Sequence, residues 1–190
     1  MKRIREASPR LRARIAGAFS LLAMLMGIAA EFGVRGTFGS VAYIAATLCN
    51  VAVTLFFYDI FRPVSRSLAS FATFFGLMVS VVGVMKWHPQ GVDIGLIDFG
   101  IYCLLIGYLV FRSAFLPRIL GVLMAFAGLA WLTFLSQPLA HSLSPYNMAA
   151  GVLGQLSLTL WLLVFGVDAQ RWKEQASAAM ERRLSRASQP

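Results

Sequence analysis

The sequence predicts an all-α fold, an integral membrane bundle of six transmembrane helices with the N- and C-termini both in the cytoplasm. Three observations predict it. The 190 residues are 58% hydrophobic and 13% charged, with a mean hydropathy of +0.72, where a soluble domain carries about 25% charged residues. Six apolar runs each come near the roughly 20 residues that cross a hydrocarbon core about 30 Å thick. The cationic residues gather at the chain ends and in alternate connections between those runs. Helices are the open choice in lipid because each segment must satisfy its own backbone amides. The short alternating segments of a membrane barrel are missing.

The elements follow in order. Residues 1–14 form a basic N-terminal tail with Lys2, Arg3, Arg5, Arg10, Arg12 and Arg14. The first run, about 15–34, has the outline of a signal peptide in "IAGAFSLLAMLMGIAAE". It is longer than a usual signal core and "IAA" is a poor cleavage site, so an uncleaved first helix is expected. The runs at about 41–61, 67–85, 94–111, 119–136 and 147–167 supply the other five helices. Residues 168–190 are too polar to cross a membrane. Trp172, Ala176, Ala179 or Met180, and Leu184 recur there at helical spacing beside basic residues, so the alternatives for this tail are a continuation of helix six, an amphipathic helix on an anionic leaflet, and a frayed solvated tail.

Charge counting sets the orientation. Fifteen Lys and Arg fall in the two tails and the second and fourth connections, against Arg35 and Lys86 on the other side. The positive-inside rule places the rich side in the cytoplasm. With the acids divided the same way, the inner side carries +10 and the outer side −1. The pI near 10.4 therefore reflects topology, and nucleic acid is not an expected partner. Membrane lipids are. A homo-oligomer is the further partner considered, although no residue pattern specifies one.

The segment "GLIDFGIYCLLIGYLVFRS" at 95–113 is apolar enough for lipid yet holds Asp98. Asp98 stands 14 residues before Arg112, about 21 Å from the inner boundary at 1.5 Å per residue. By the same measure Glu31, Gln155, Asn50 and Tyr102 lie about 25, 20, 18 and 15 Å up, all at the midplane or in the outer half. An ionised carboxylate facing lipid costs at least about 2.5 kcal/mol at the centre of a helix. Glu31 and Asp98 are thus expected to face the bundle interior or a watery opening. Glu31 has a local alternative in Arg35, spaced for an i to i+4 pair. Asp98 has two: a hydrogen bond that pins helix four to Asn50 or Gln155, or membership of an outward-facing polar pocket with Glu31, Asn50, Tyr102 and Gln155.

Other residues point to little chemistry. His88 and His141 lie in outer loops without carboxylates at ligand spacing, so no metal site is expected. Cys49 and Cys103 fall inside helices and read as small packing residues. No nucleophile has a base nearby in sequence, no phosphate loop follows a strand, and no cofactor or catalytic residue is assigned. Gly100, Gly107, Gly121, Gly128, Gly151 and Gly154 are expected to let helix backbones approach. Trp87 and Trp172 read as interfacial anchors on opposite sides. A faint repeat is visible: "YDIFR" and "YLVFR" place Tyr58 and Tyr108 four residues before Arg62 and Arg112. Recurring interfacial anchors explain it more simply than duplication does.

The blocks "RIAGAFSLLAMLMGIAAE", "RPVSRSLASFATFFGLMVSVVG", "DIGLIDFGIYCLLIGYLVFRSAFLPRILGVLMAFAGLAWL" and "GQLSLTLWLLVFGV" resemble a bacterial membrane family, the domain of unknown function 4386 family. The resemblance covers roughly residues 12–167 and is most specific in "GYLVFRSAFLPRILGVL". It implies several membrane helices and a bacterial plasma-membrane location, with no established activity. In the family pattern the acid closing "GIAAE" is typical, which fits Glu31. A His often stands at the place of Tyr102 and an acid at that of Gln155. A metal or proton role built on those three groups in relatives would have lost two of them here.

Three function classes follow. The first is a non-enzymatic membrane protein of unknown function whose polar residues serve packing or a partner; Asp98→Asn leaves it working. The second is an outward polar pocket holding a small molecule or lipid for sensing or transport, which the same substitution abolishes. The third, with the least support, is an intramembrane enzyme using Glu31 and Asp98 as acid and base.

Overall fold

A computed structural model describes residues 8–30, 37–85 and 94–187 of the chain. The described residues are helical, with no strand among them. Six helices are long and apolar enough to span a membrane: α1 (Pro9–Ile28), α2 (Thr37–Phe61), α3 (Arg66–Met85), α4 (Ile94–Arg112), α5 (Arg118–Leu132) and α7 (Tyr146–Val164). A 3-10 turn, Thr133–Leu135, extends α5, and the short α6 (Gln137–Leu143) leads into α7. The last helix is α8 (Ala169–Ala187).

Each spanning helix packs on its neighbours in sequence, and α1 packs on α7, so the six close into a ring. Short connections between antiparallel neighbours produce this order. The apolar residues divide between two environments. Leu48, Phe71, Phe126 and Leu153 stand exposed, on a scale that a water-soluble surface of this size would not carry. Phe61, Ile106, Leu109, Val110 and Leu162 are sealed inside. Most of that core lies toward the end of the bundle that carries the start of α1 and the end of α7, the basic end.

The most extensive helix pairing is α4 with α5, held by two reciprocal glycine contacts. A Cβ on Gly107 would lie 2.9 Å from the Gly121 carbonyl oxygen, and one on Gly121 would lie 2.7 Å from that of Gly107. Gly100 and Gly128 repeat the arrangement seven residues away on each helix, at 3.0 and 2.8 Å. Backbones this near exclude any side chain between them, which is the packing that lipid, lacking a hydrophobic drive between helices, rewards.

Caps explain where the helices depart from the apolar runs. The run beginning near residue 15 belongs to a helix that starts at Pro9, because Ser8 Oγ accepts the Leu11 N–H at 3.3 Å and Pro9 stands at the first position. The extra turns carry Arg10 and Arg14 to the end of α7, where they donate to the carbonyls of Phe165 (3.2 Å) and Val164 (2.8 Å). Those carbonyls are among the orphan acceptors of a helix terminus, and cations there complement the dipole.

The tail does not continue the sixth spanning helix. Gly166, with φ +71°, turns the chain in a conformation that disfavours a Cβ. Asp168 then caps a new helix, its Oδ1 accepting from the N–H groups of Gln170 (3.0 Å) and Arg171 (3.2 Å). Helix α8 docks on the basic end of the bundle. The Trp172 indole N–H donates to the Ile60 carbonyl at 2.9 Å, and Gln175 Oε1 accepts the Ala114 N–H at 3.1 Å. Trp172 thus anchors α8 to the protein itself; Trp87 lies outside the described residues.

The two parts of the sequence repeat behave differently. Arg112 donates to the Tyr108 hydroxyl at 3.0 Å and lies over its ring. Arg62 instead meets Asp59, at 3.8 Å, because an acid stands in "YDIFR" where "YLVFR" has leucine.

Candidate functional site

The ring of helices encloses a small cavity of about 30 Å³. Its polar lining comes from four helices: Ser20 of α1, Asn50 of α2, Tyr102 of α4, and Gln155 and Thr159 of α7. Phe99 and Met124 supply apolar walls. Three of the five residues singled out in the sequence, Asn50, Tyr102 and Gln155, therefore converge on one space. They do so because each sits near mid-depth on the inward stripe of its helix.

The polar groups divide into satisfied and unsatisfied sets. Ser20 Oγ and Thr159 Oγ1 lie 2.8 Å apart and tie α1 to α7. The Asn50 amide donates to Ser80 Oγ at 3.1 Å and to the Gly76 carbonyl at 3.4 Å, tying α2 to α3. Thr54 donates to the Asn50 carbonyl at 2.9 Å. Gly76 permits this approach, since a Cβ there would fall 2.7 Å from Thr54 Oγ1.

Asp98 is 9% exposed, and its Oδ2 is buried without a hydrogen-bond partner. The expected pin from Asp98 to Asn50 or Gln155 is not formed. Asn50 spends its N–H groups on α3, and Asp98 stands one turn outward from Tyr102 on the same face of α4, outside the cavity lining. Trp131 Nε1 is likewise buried without a partner, and the Tyr102 hydroxyl, with Thr54 as its polar neighbour, makes no hydrogen bond of good geometry. Gln155 is half-buried, with no protein hydrogen bond to its amide among the described residues. Buried orphans of this kind are rare, and water is their usual partner.

An aromatic chain joins these groups. The Phe99 ring stacks on Tyr102 with centroids 6.1 Å apart and meets Trp131 edge-on at 5.8 Å. Trp131 reaches α7 at Gly151, where a Cβ would clash with the indole at 2.5 Å. Sequence reasoning missed Trp131, Ser20 and Thr159. A Trp followed by glycines one helix away was the available signal for the first; nothing in the spacing of Ser20 and Thr159 marks them as a pair.

Glu31 and Arg35 lie outside the described residues, as do Lys86 and His88. His141 is exposed at the end of α6. Cys49 and Cys103 are buried free thiols packed among apolar neighbours. Among the described residues no three His, Cys, Asp or Glu side chains come together as metal ligands.

Comparison with known proteins adds the family. The sequence profile described as Domain of unknown function (DUF4386) matches residues 80–166. The DUF4386 likeness is confined to that part of the chain. It takes in the end of α3 and all of α4 to α7, hence the glycine-linked α4–α5 pair and Asp98, Tyr102, Trp131 and Gln155. The matched part agrees with the later blocks of the sequence resemblance; α1 and α2, with Asn50, lie before it. A relative described as an uncharacterized protein of Archaeoglobus fulgidus is 27% identical over 130 residues, which cover 63% of this chain and 78% of the relative. No solved structure matches the chain significantly. The chain is thus a multi-pass membrane protein whose residues 80–166 are similar to a domain of unknown function.

Proposed function

We propose that the protein is a non-enzymatic component of the bacterial plasma membrane, with both termini in the cytoplasm. Its interior polar residues hold the helices in register around a hydrated cavity. The observation that carries this reading is the size of the cavity. About 30 Å³ admits one or two waters, whereas small-molecule sites occupy roughly 300–1,000 Å³. The charge asymmetry between the two sides supports the orientation, and the family resemblance supports the plasma membrane.

A second reading is favoured by one observation, the unpartnered oxygens of Asp98 and Tyr102 on one face of α4. In it, an opened form of the bundle takes a polar ligand on these groups and Gln155. Native mass spectrometry of the protein in mild detergent, wild type beside Asp98→Asn, separates the two. The packing reading expects bare chains with unselective lipid from both. A defined molecule kept by the wild type and lost from the folded variant replaces it with the ligand site.

A further inference from the structure

The docking of α8 creates a second feature, at the basic end of the bundle and far from the central cavity. Between α8 and the turn joining α2 to α3 runs an open groove of about 320 Å³. Four arginines line it: Arg62 and Arg66 from the α2–α3 turn, Arg112 from the end of α4, and Arg182 from α8. Gln175 and Ser65 add neutral polar groups, and no carboxylate belongs to the lining. Asp59 lies nearby but only approaches Arg62, at 3.8 Å with both side chains about half exposed, an arrangement that neutralises little. Neither Arg66 nor Arg182 has an ion pair among the described residues.

Four like charges converge here because the fold brings three separate chain segments together. Their mutual repulsion, screened by solvent at these exposed side chains, is relieved by a bound anion. The backbone adds to the field. Arg66 opens α3, a helix of 20 residues, and Ser65 Oγ accepts the Leu68 N–H at 3.4 Å, leaving further N–H groups of that first turn unengaged. Ala178 and Ala179 supply the α8 side of the groove, and their small side chains keep it open. The groove mouth lies where the apolar span α2 ends and α3 begins, so a bilayer around the six spans would bring its headgroups to it.

We propose that this groove binds a phosphate-bearing anion, with Arg66 and Arg182 as its principal ligands. Guanidinium groups match phosphate oxygens two at a time, and basic pockets at the ends of membrane helices are suited to anionic headgroups. A phospholipid headgroup and a soluble organic phosphate share this chemistry. The proposal needs only the docked α8 and is independent of the role of the central cavity.

The test titrates full-length protein in mild detergent with phosphatidylglycerol, with phosphatidylcholine as the zwitterionic comparison, and follows occupancy by native mass spectrometry. The variants are Arg66→Gln, Arg182→Gln and, as a control of equal charge on α8 outside the groove, Lys173→Gln. Wild type is expected to prefer phosphatidylglycerol. Arg66→Gln and Arg182→Gln should each weaken it about fivefold, the loss of one near-surface cation, while Lys173→Gln leaves it within experimental error. Competition by glycerol phosphate identifies the source. Displacement of the lipid assigns recognition to phosphate alone, and persistence of the lipid assigns it to the headgroup held at the membrane. Absence of any preference in wild type, or equal weakening by all three variants, overturns the proposal. Unchanged thermal unfolding of the variants, whose substituted side chains are all exposed, excludes misfolding as the cause of a loss.

Discussion

Asp98 and Asn50 look alike in the sequence, each a polar residue stranded in an apolar helix, yet the structure gives them opposite energetic roles. Asn50 donates to two groups of α3. Interhelical hydrogen bonds in membranes are worth about 0.6 kcal/mol on average and at most about 1.7. Asn50→Leu is therefore expected to lower stability by about 1 kcal/mol in reversible unfolding from mixed micelles. Asp98 has no hydrogen bond among the described residues to lose, so Asp98→Asn should shift the same measurement by less than about 1 kcal/mol. A drop of several kcal/mol in the second variant would mean that Asp98 has a structural partner. The aromatic bridge from Tyr102 through Phe99 to Trp131 belongs to this scale too, for it sets how closely the orphan groups of α4 are walled off from lipid.

At the scale of elements, backbone contact decides which glycines matter. A Cβ at Gly121 would sit 2.6 Å from the Phe111 backbone nitrogen, whereas one at Gly27 would meet nothing within 4 Å. Gly121→Val should cost at least the 1–3 kcal/mol typical of overpacking, roughly, because a helix backbone has no rotamer with which to yield. Gly27→Ala should instead be neutral or gain up to about 1 kcal/mol from helix propensity. Thermal unfolding of the pair checks the contrast, and similar effects at both positions would refute close α4–α5 packing. Helix α8 is the other lesson at this scale. Its amphipathic pattern was legible in the sequence, but its docking depends on the Trp172 indole finding the Ile60 carbonyl, 112 residues away.

For the whole molecule, the outstanding quantity is orientation. Ser142 of α6 and Ser177 of α8 are exposed at opposite ends of the bundle. In intact cells Ser142→Cys should react with a membrane-impermeant maleimide and Ser177→Cys should react only after permeabilisation. The native Cys49 and Cys103 are buried and supply little background. The reverse labelling would overturn the cytoplasmic placement of the termini. The sequence by itself determined the helical class, the six spans and the identity of the polar intruders, because hydrocarbon imposes a length and a composition on every segment independently of its neighbours. Tertiary structure alone decided the pairings: that Asn50 serves α3 and not Asp98, that Ser20 meets Thr159, that Trp131 seals against Gly151, and that four arginines from distant segments face one groove. Each pairing rests on which helix stands beside which and at what rotation. Those are properties of the closed ring, and the periodicity of a single segment does not contain them.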